Sequence, residues 1–419
     1  MRSLRQCPVP EVTITRLGHL GDGIATDDHG GPIFVPLTLP GEVVSGEIYG
    51  DRIAAPSVIT PSSDRVKAPC PHYKSCGGCS LMHASDPFVA TWKENVITTA
   101  LQAHDLPTPL RPIVTSARKS RRRATLAGTR TKKGAMIGFH ARKSGTIVPT
   151  RDCFLLEPAL LETLPALERI VKLGASRSAT LGLALTLTDT GIDLHVTGAK
   201  PLDGPLRAAL PQVRGSFSRL TWGDEPVYTE TPPRLTLGTA RVTPPPGAFL
   251  QATQDGEAAL QAAVAEATQG ATHIADLFCG IGTFTLPLAQ AAPVHAVEAA
   301  PDLLDALDHA TRFATGLKPI TTEARDLYRR PLLPDELAKF DAIVIDPPRA
   351  GAEAQTEQIA KAHVPVIAAV SCNPVTFARD AAILTKAGYA LDWVQPVDQF
   401  RWSPHVELAA RFTLAHISD

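Results

Sequence analysis

The chain has 419 residues, with 41 Lys and Arg against 42 Asp and Glu, 44% hydrophobic and 20% charged. That balance fits a water-soluble globular protein of about two to four domains and excludes collagen-like, disordered and membrane-spanning classes. Apolar runs such as Val366–Val370 fall far short of the ~20 residues a bilayer span needs, and Met1–Pro10 holds no apolar stretch of the secretory type.

Residues 10–60 read as a small β-barrel. Val12–Leu17 alternates, Gly18 and Gly21–Gly23 supply turns, and Ile33–Pro36 and Val43–Ile48 are short strands. After a linker at Thr60–Asp64 comes Cys70-x5-Cys76-Gly-Gly-Cys79. Trp92, Val96, Ile97 and Leu101 then mark a helix over about 87–103, expected to pack on the C-terminal domain. Residues 111–240 are β-rich, with a helix predicted at Pro158–Val171. Arg111 to Arg151 holds twelve Lys and Arg and no Asp or Glu, so the rest of the chain carries −13. Strands would hold these charges, Arg121, Arg122 and Arg123 among them, on a face suited to a polyanion. From Thr253 onward the pattern becomes alternating β and α: helix Asp255–Thr268, strands Ile274–Leu277, Val294–Glu298, Ala342–Asp346 and Val366–Ser371, and a terminal hairpin, Leu391–Pro396 with Val406–Leu414. Such alternation predicts a doubly wound α/β fold with a parallel sheet. The expected division is 1–60, 61–240 and 241–419, in a cytoplasmic protein with reduced thiols.

Three motifs carry chemistry. Asp276-Leu-Phe278-Cys-Gly280-Ile-Gly282-Thr283 places glycines between a strand and a helix, where a ligand can approach the backbone. A nicotinamide fingerprint would want a third Gly where Thr285 stands. The next strand ends in Glu298, suited to accept from both ribose hydroxyls. Asp346-Pro-Pro-Arg349 ends a buried strand at the carboxyl edge. With the first two features it resembles the class I S-adenosylmethionine-dependent methyltransferases, and Arg349 at the fourth position disfavours amino-nitrogen chemistry. Cys372 follows the next strand tip as a nucleophile candidate, and Glu407 is a carboxylate in an otherwise apolar strand. Cysteine, carboxylate and methyl donor together suggest methylation of pyrimidine carbon 5. The thiolate adds to carbon 6 and loads carbon 5 with electron density; a base later removes the carbon-5 proton.

Phe249-Leu-Gln251, Asp276–Thr283, Asp346-Pro-Pro-Arg349, Ser371-Cys372-Asn-Pro and His405-Val-Glu407 together resemble the RNA uracil-5-methyltransferase family. The resemblance covers nearly the full chain. It implies a Rossmann-like S-adenosylmethionine methyltransferase domain, a β-rich central domain and a short N-terminal OB-like barrel of TRAM type that binds RNA. It also implies Cys372 as nucleophile, Glu407 as base, and Gln251, Phe278, Gly280, Thr283, Glu298, Asp326 and Asp346 as cofactor contacts. Thr283 stands where many relatives carry Asn. By spacing, four thiolates fit zinc or an iron–sulfur cluster equally well. The resemblance implies a [4Fe–4S] cluster on Cys70, Cys76, Cys79 and Cys153, and a monomer acting on RNA, 23S rRNA before tRNA, with no membrane partner. Cytosine-5 methylation is the weaker alternative because only Cys372 is suitably placed; a non-catalytic RNA-binding iron–sulfur protein is the rival from another class. Cys7 and Cys279 read as ordinary thiols, Lys93-Glu-Asn-Val as helix surface, and His19, His72, His83 and His140 as core or surface residues.

Overall fold

The computed structural model describes residues 10–176, 178–213 and 215–415. Cys7 lies outside the described residues. At the N-terminus two three-stranded antiparallel sheets face each other: Glu11–Thr13, Val43–Ser45 and Ser57–Thr60; and Arg16–Leu17, Gly23–Thr26 and Pro32–Val35. Alternating apolar residues Ile14, Ala25, Ile33, Val35, Val44 and Ile53 fill the space between them.

The central unit is a seven-stranded sheet. Its order is Ile147–Pro149, Gly134–His140, Arg123–Thr131, Thr180–Thr188, Gly191–Thr197, Arg219–Trp222 and Glu225–Thr229. Helices Pro158–Glu162 and Leu164–Gly174 supply its cover, with Leu160, Leu167, Ile170 and Val171 packed on Leu126, Leu183 and Leu194. The sequence predicts one helix here. Pro165 has no N–H to return to Leu161, so the chain breaks at Thr163 and restarts.

The C-terminal sheet has eight strands. Their order is Ile320–Ala324, Val294–Glu298, Ile274–Leu277, Ala342–Ile345, Val366–Ser371, Glu407–Leu414, Tyr389–Asp398 and Val114–Thr115. The first five run parallel, and Glu407–Leu414 enters antiparallel beside Val366–Ser371. Helices Glu353–Ala362 and Pro374–Lys386 cover one face and Gln254–Ala267 lies on the other. The edge strand Val114–Thr115 comes from far upstream; two residues show no period that a sequence could reveal. No helix among the described residues is long and apolar enough to cross a membrane.

Helix Asp86–Gln102 starts at Ser85, whose hydroxyl accepts from the Phe88 N–H at 3.3 Å. Ile97 and Leu101 join the core of the C-terminal sheet. Reading Lys93 as helix surface is corrected: it is 0% exposed and its Nζ lies 2.5 Å from Asp398 Oδ1. A lysine can be buried when a carboxylate meets it.

The twelve-charge segment also needs correction as a continuous RNA-facing surface. Arg122 is buried and gives Nη2 to Glu257 Oε2 at 2.6 Å and Nε to the Gln251 carbonyl at 3.3 Å. Arg123 reaches the Leu250 carbonyl and Arg111 pairs with Glu266. These arginines tie the central sheet to the C-terminal unit. Lys119, Arg130, Lys132, Lys133 and Lys143, with Arg118 and Arg151, which also pair with surface carboxylates, are the exposed cations of this segment. Arg122→Ala strands the buried Glu257 carboxylate, so stability should fall by roughly 3–5 kcal/mol in denaturant titration. Adding Glu257→Leu in the same chain should recover most of that loss.

Candidate active site

Strands Ile274–Leu277 and Ala342–Ile345 are neighbours, yet the chain leaves them toward opposite sides of the sheet. A crevice opens beyond their carboxyl ends, where doubly wound sheets bind ligands. The turn there carries positive φ at Phe278 (62°), Gly280 (56°) and Gly282 (90°). A Cβ on Gly280 would meet no atom within 4 Å, so open space faces this backbone. The Gly280 N–H donates to Glu298 Oε2 at 3.1 Å, while Glu298 Oε1 accepts from the N–H groups of Ala299 (2.7 Å) and Ala300 (3.1 Å). Three backbone donors thus fix this carboxylate at the strand tip.

Beneath the turn, Asp276 is fully buried and accepts from Thr285 Oγ1 at 2.6 Å. Burial pushes its pKa up to about 7. The Phe278 ring lies 5.4 Å from the Tyr328 ring, tilted by 55°. Asp326 accepts from the Tyr328 N–H at 3.0 Å, which sets that loop beside Phe278. The Thr283 carbonyl accepts from Gln261 Nε2 at 2.9 Å. Gln251 is buried just before helix Gln254–Ala267, and its Oε1 accepts from Gln399 Nε2 at 2.5 Å. The open backbone, the fixed carboxylate and the aromatic ring form a cradle that suits the ribose and base of a nucleoside.

The reacting side faces this cradle. Cys372 is half-buried past the tip of Val366–Ser371, and Asn373 caps the following helix through its Oδ1 and the Val375 N–H. Burial pushes the Cys372 thiol up to about 11, with the Glu407 and Asp346 carboxyls adding to the rise; Arg349 opposes them through its charge and a hydrogen bond. Glu407 opens its strand, buried and opposite Val397. Burial first, then Asp346, pushes its pKa up to about 8, against a hydrogen bond from Gln399 and the charge of Arg349. Asp346 is pushed up to about 7 by burial and by Asp276. Cys372, Glu407, Asp346 and Arg349 therefore act on one another electrostatically as one site.

Two partners were not legible in the sequence. Arg349 Nη2 lies 2.5 Å from His405 Nδ1. Burial and the Arg349 charge hold His405 down to about 4, so the ring is neutral and can accept from the guanidinium. Gln399 is also buried and links Gln251, Ala252 and Glu407. The one visible signal was a polar pair, Asp398-Gln399, at the end of strand Tyr389–Asp398.

Cys70, Cys76, Cys79 and Cys153 line one cavity of ≈ 360 Å³, together with Tyr73, Arg121 and His405. The Gly78 N–H points at Cys76 Sγ from 3.4 Å. Burial, with the neighbouring thiols adding to it, raises Cys70, Cys76 and Cys79 above the usual thiol range. Among the described residues no three His, Cys, Asp or Glu side chains converge closely enough to hold a metal ion. Four thiols lining one cavity are a donor set that suits a thiolate-bound metal group, zinc or iron–sulfur alike.

Residues 246–413 match the family model described as tRNA (uracil-5-)-methyltransferase. An uncharacterized RNA methyltransferase of Caulobacter vibrioides is 46% identical over 96% of this chain and 99% of its own. The 23S rRNA (uracil(1939)-C(5))-methyltransferase RlmD of Halomonas elongata is 34% identical over 95% of this chain and 88% of its own. Among solved structures, Pyrococcus abyssi tRNA (uracil-54, C5)-methyltransferase in complex with S-adenosyl-L-homocysteine shares the fold. It covers 96% of this chain and 99% of its own, with a TM-score of 0.77 at 22% identity. The chain belongs to the RNA uracil-5-methyltransferase family, whose members methylate RNA with S-adenosylmethionine.

Proposed function

We propose that the protein methylates carbon 5 of a uracil in 23S rRNA through a covalent bond from Cys372 to carbon 6. The observation that carries this reading is the meeting of Cys372, Glu407 and Arg349 beside the nucleoside cradle. The likeness to RlmD, spread over almost the whole chain, favours rRNA over tRNA.

S-adenosylmethionine supplies an electrophilic methyl group. Gln251, Phe278, Gly280, Thr283, Glu298, Asp326 and Asp346 would hold it, with Glu298 toward the ribose. The target uracil must leave its stack to reach Cys372. As the sulfur adds to carbon 6, electron density moves to the carbonyl oxygen on carbon 4 and makes carbon 5 nucleophilic. Arg349, hydrogen-bonded to the thiol, favours the thiolate. After methylation, Glu407 takes the carbon-5 proton, the carbon 5–carbon 6 double bond re-forms, and the sulfur leaves as thiolate. A raised carboxyl pKa suits this base to working near neutral pH. Mapping 5-methyluridine in rRNA and tRNA from a deletion strain tests the target: loss in 23S rRNA supports the reading, and loss confined to tRNA sinks it.

Cys70, Cys76, Cys79 and Cys153 would hold a [4Fe–4S] cluster with a structural role. Anaerobically purified protein should then be brown, with about four irons per chain. Cys76→Ser or Cys153→Ser should lower its thermal midpoint, because binding energy at such a site is folding energy. A colourless protein with one zinc would sink the cluster assignment.

A further inference from the structure

We propose that Lys93 and Asp398 form a buried clamp that positions the general base for the elimination step, acting through Gln399. The inference rests on the reading of Glu407 as that base.

Lys93 Nζ meets Asp398 Oδ1 at 2.5 Å and the Phe400 carbonyl at 3.2 Å. Asp398 Oδ1 also accepts from the Phe400 N–H at 3.1 Å. Lys93 is 0% and Asp398 1% exposed. Asp86, two turns earlier on the helix, takes Arg401 Nη2 at 2.5 Å, and Arg401 Nη1 donates to the Ser116 carbonyl at 3.0 Å. Residues i and i+7 share a helix face, so one face of helix Asp86–Gln102 grips the loop at two points.

Asp398 and Gln399 are consecutive at a strand end, where successive side chains point to opposite sides. Asp398 meets the helix, while the Gln399 amide reaches into the site. There it donates to Gln251 at 2.5 Å, accepts from the Ala252 N–H at 2.7 Å and lies near enough to Glu407 to favour its ionised form. Whatever fixes Asp398 therefore fixes the group between the base and the cofactor-side glutamine. Stability alone does not account for the pair, because apolar side chains of similar volume usually serve a core as well or better than two buried charges. Register is the use that remains.

The elimination it serves balances internally: the carbon-5 proton goes to Glu407, its electron pair forms the carbon 5–carbon 6 double bond, and the carbon 6–sulfur pair returns to Cys372. The double variant Lys93→Met/Asp398→Asn removes both charges and strands neither. In full-length protein it should trap 5-fluorouridine RNA at the wild-type rate, yet release product roughly tenfold or more slowly. A denaturation-resistant, methyl-labelled protein–RNA adduct should accumulate at steady state. Gln399→Met should stall in the same way with the clamp intact. Wild-type release by the double variant would overturn the proposal whatever its melting temperature, and so would normal release by Gln399→Met. Should the double variant not fold, the isosteric Asp398→Asn decides by the same two outcomes. Glu407→Gln run alongside separates the two levels: absence of adduct there refutes the base itself, while adduct there without adduct in the clamp variants refutes only the clamp.

Discussion

Cys372→Ala is expected to bind RNA and cofactor, form no covalent adduct and lose methyl transfer by at least about 10⁴-fold. No enolate forms without the sulfur, and carbon 5 of an unactivated uracil does not displace a sulfonium methyl. The cradle around Gly280 and Glu298 lies on different strands from Cys372, so equilibrium dialysis with labelled cofactor should give an unchanged Kd. Because its thiol is pushed up to about 11 at rest, Cys372 should react slowly with alkylating reagents at neutral pH. Removing Arg349, which opposes that rise, should make it slower still.

Glu407→Gln is expected to stop the reaction one stage later. Addition and methyl transfer both precede proton removal, so a methylated protein–RNA species should persist through denaturing electrophoresis. The pH dependence follows from the raised carboxyl. Only ionised Glu407 can take the proton, and this step follows methyl transfer, so the wild-type rate of product release from the methylated adduct should rise with pH through about 8. The stability effect has the opposite sense. A carboxyl whose folded pKa lies above its unfolded one contributes stability fully below the unfolded value, about 4.3, and loses it as pH rises through about 8. The Tm of Glu407→Gln should therefore gain on wild type between about pH 5 and 8. A constant difference across that window would mean that Glu407 does not titrate there.

The α/β fold was legible because buried parallel strands such as Ala342–Ile345 read as unbroken apolar runs between helical patterns. Cys372 and Glu407 stood out for a related reason: each is a chemically costly residue beside apolar strand sequence. What the sequence hid was partnership across long separations. Nothing near Lys93 announces Asp398, 305 residues away, and nothing near Arg122 announces Glu257. Charge counting put Arg122 on a surface and the amphipathic helix put Lys93 there, because both record the sign of a side chain and not the carboxylate that awaits it. The Gln399 amide was hidden likewise, since an isolated glutamine has no pattern until the fold brings Gln251 and Glu407 to it.

The central claim, covalent attack by Cys372 on carbon 6, is tested most directly by mass spectrometry of the trapped complex. Wild-type protein is incubated with S-adenosylmethionine and 23S rRNA fragments bearing 5-fluorouridine, then digested with protease and nuclease. Fluorine cannot leave as a proton does, so the adduct should remain, with one methyl group added, on the peptide containing Cys372. An adduct on any other residue, or its absence while unsubstituted RNA is still methylated, would contradict the account.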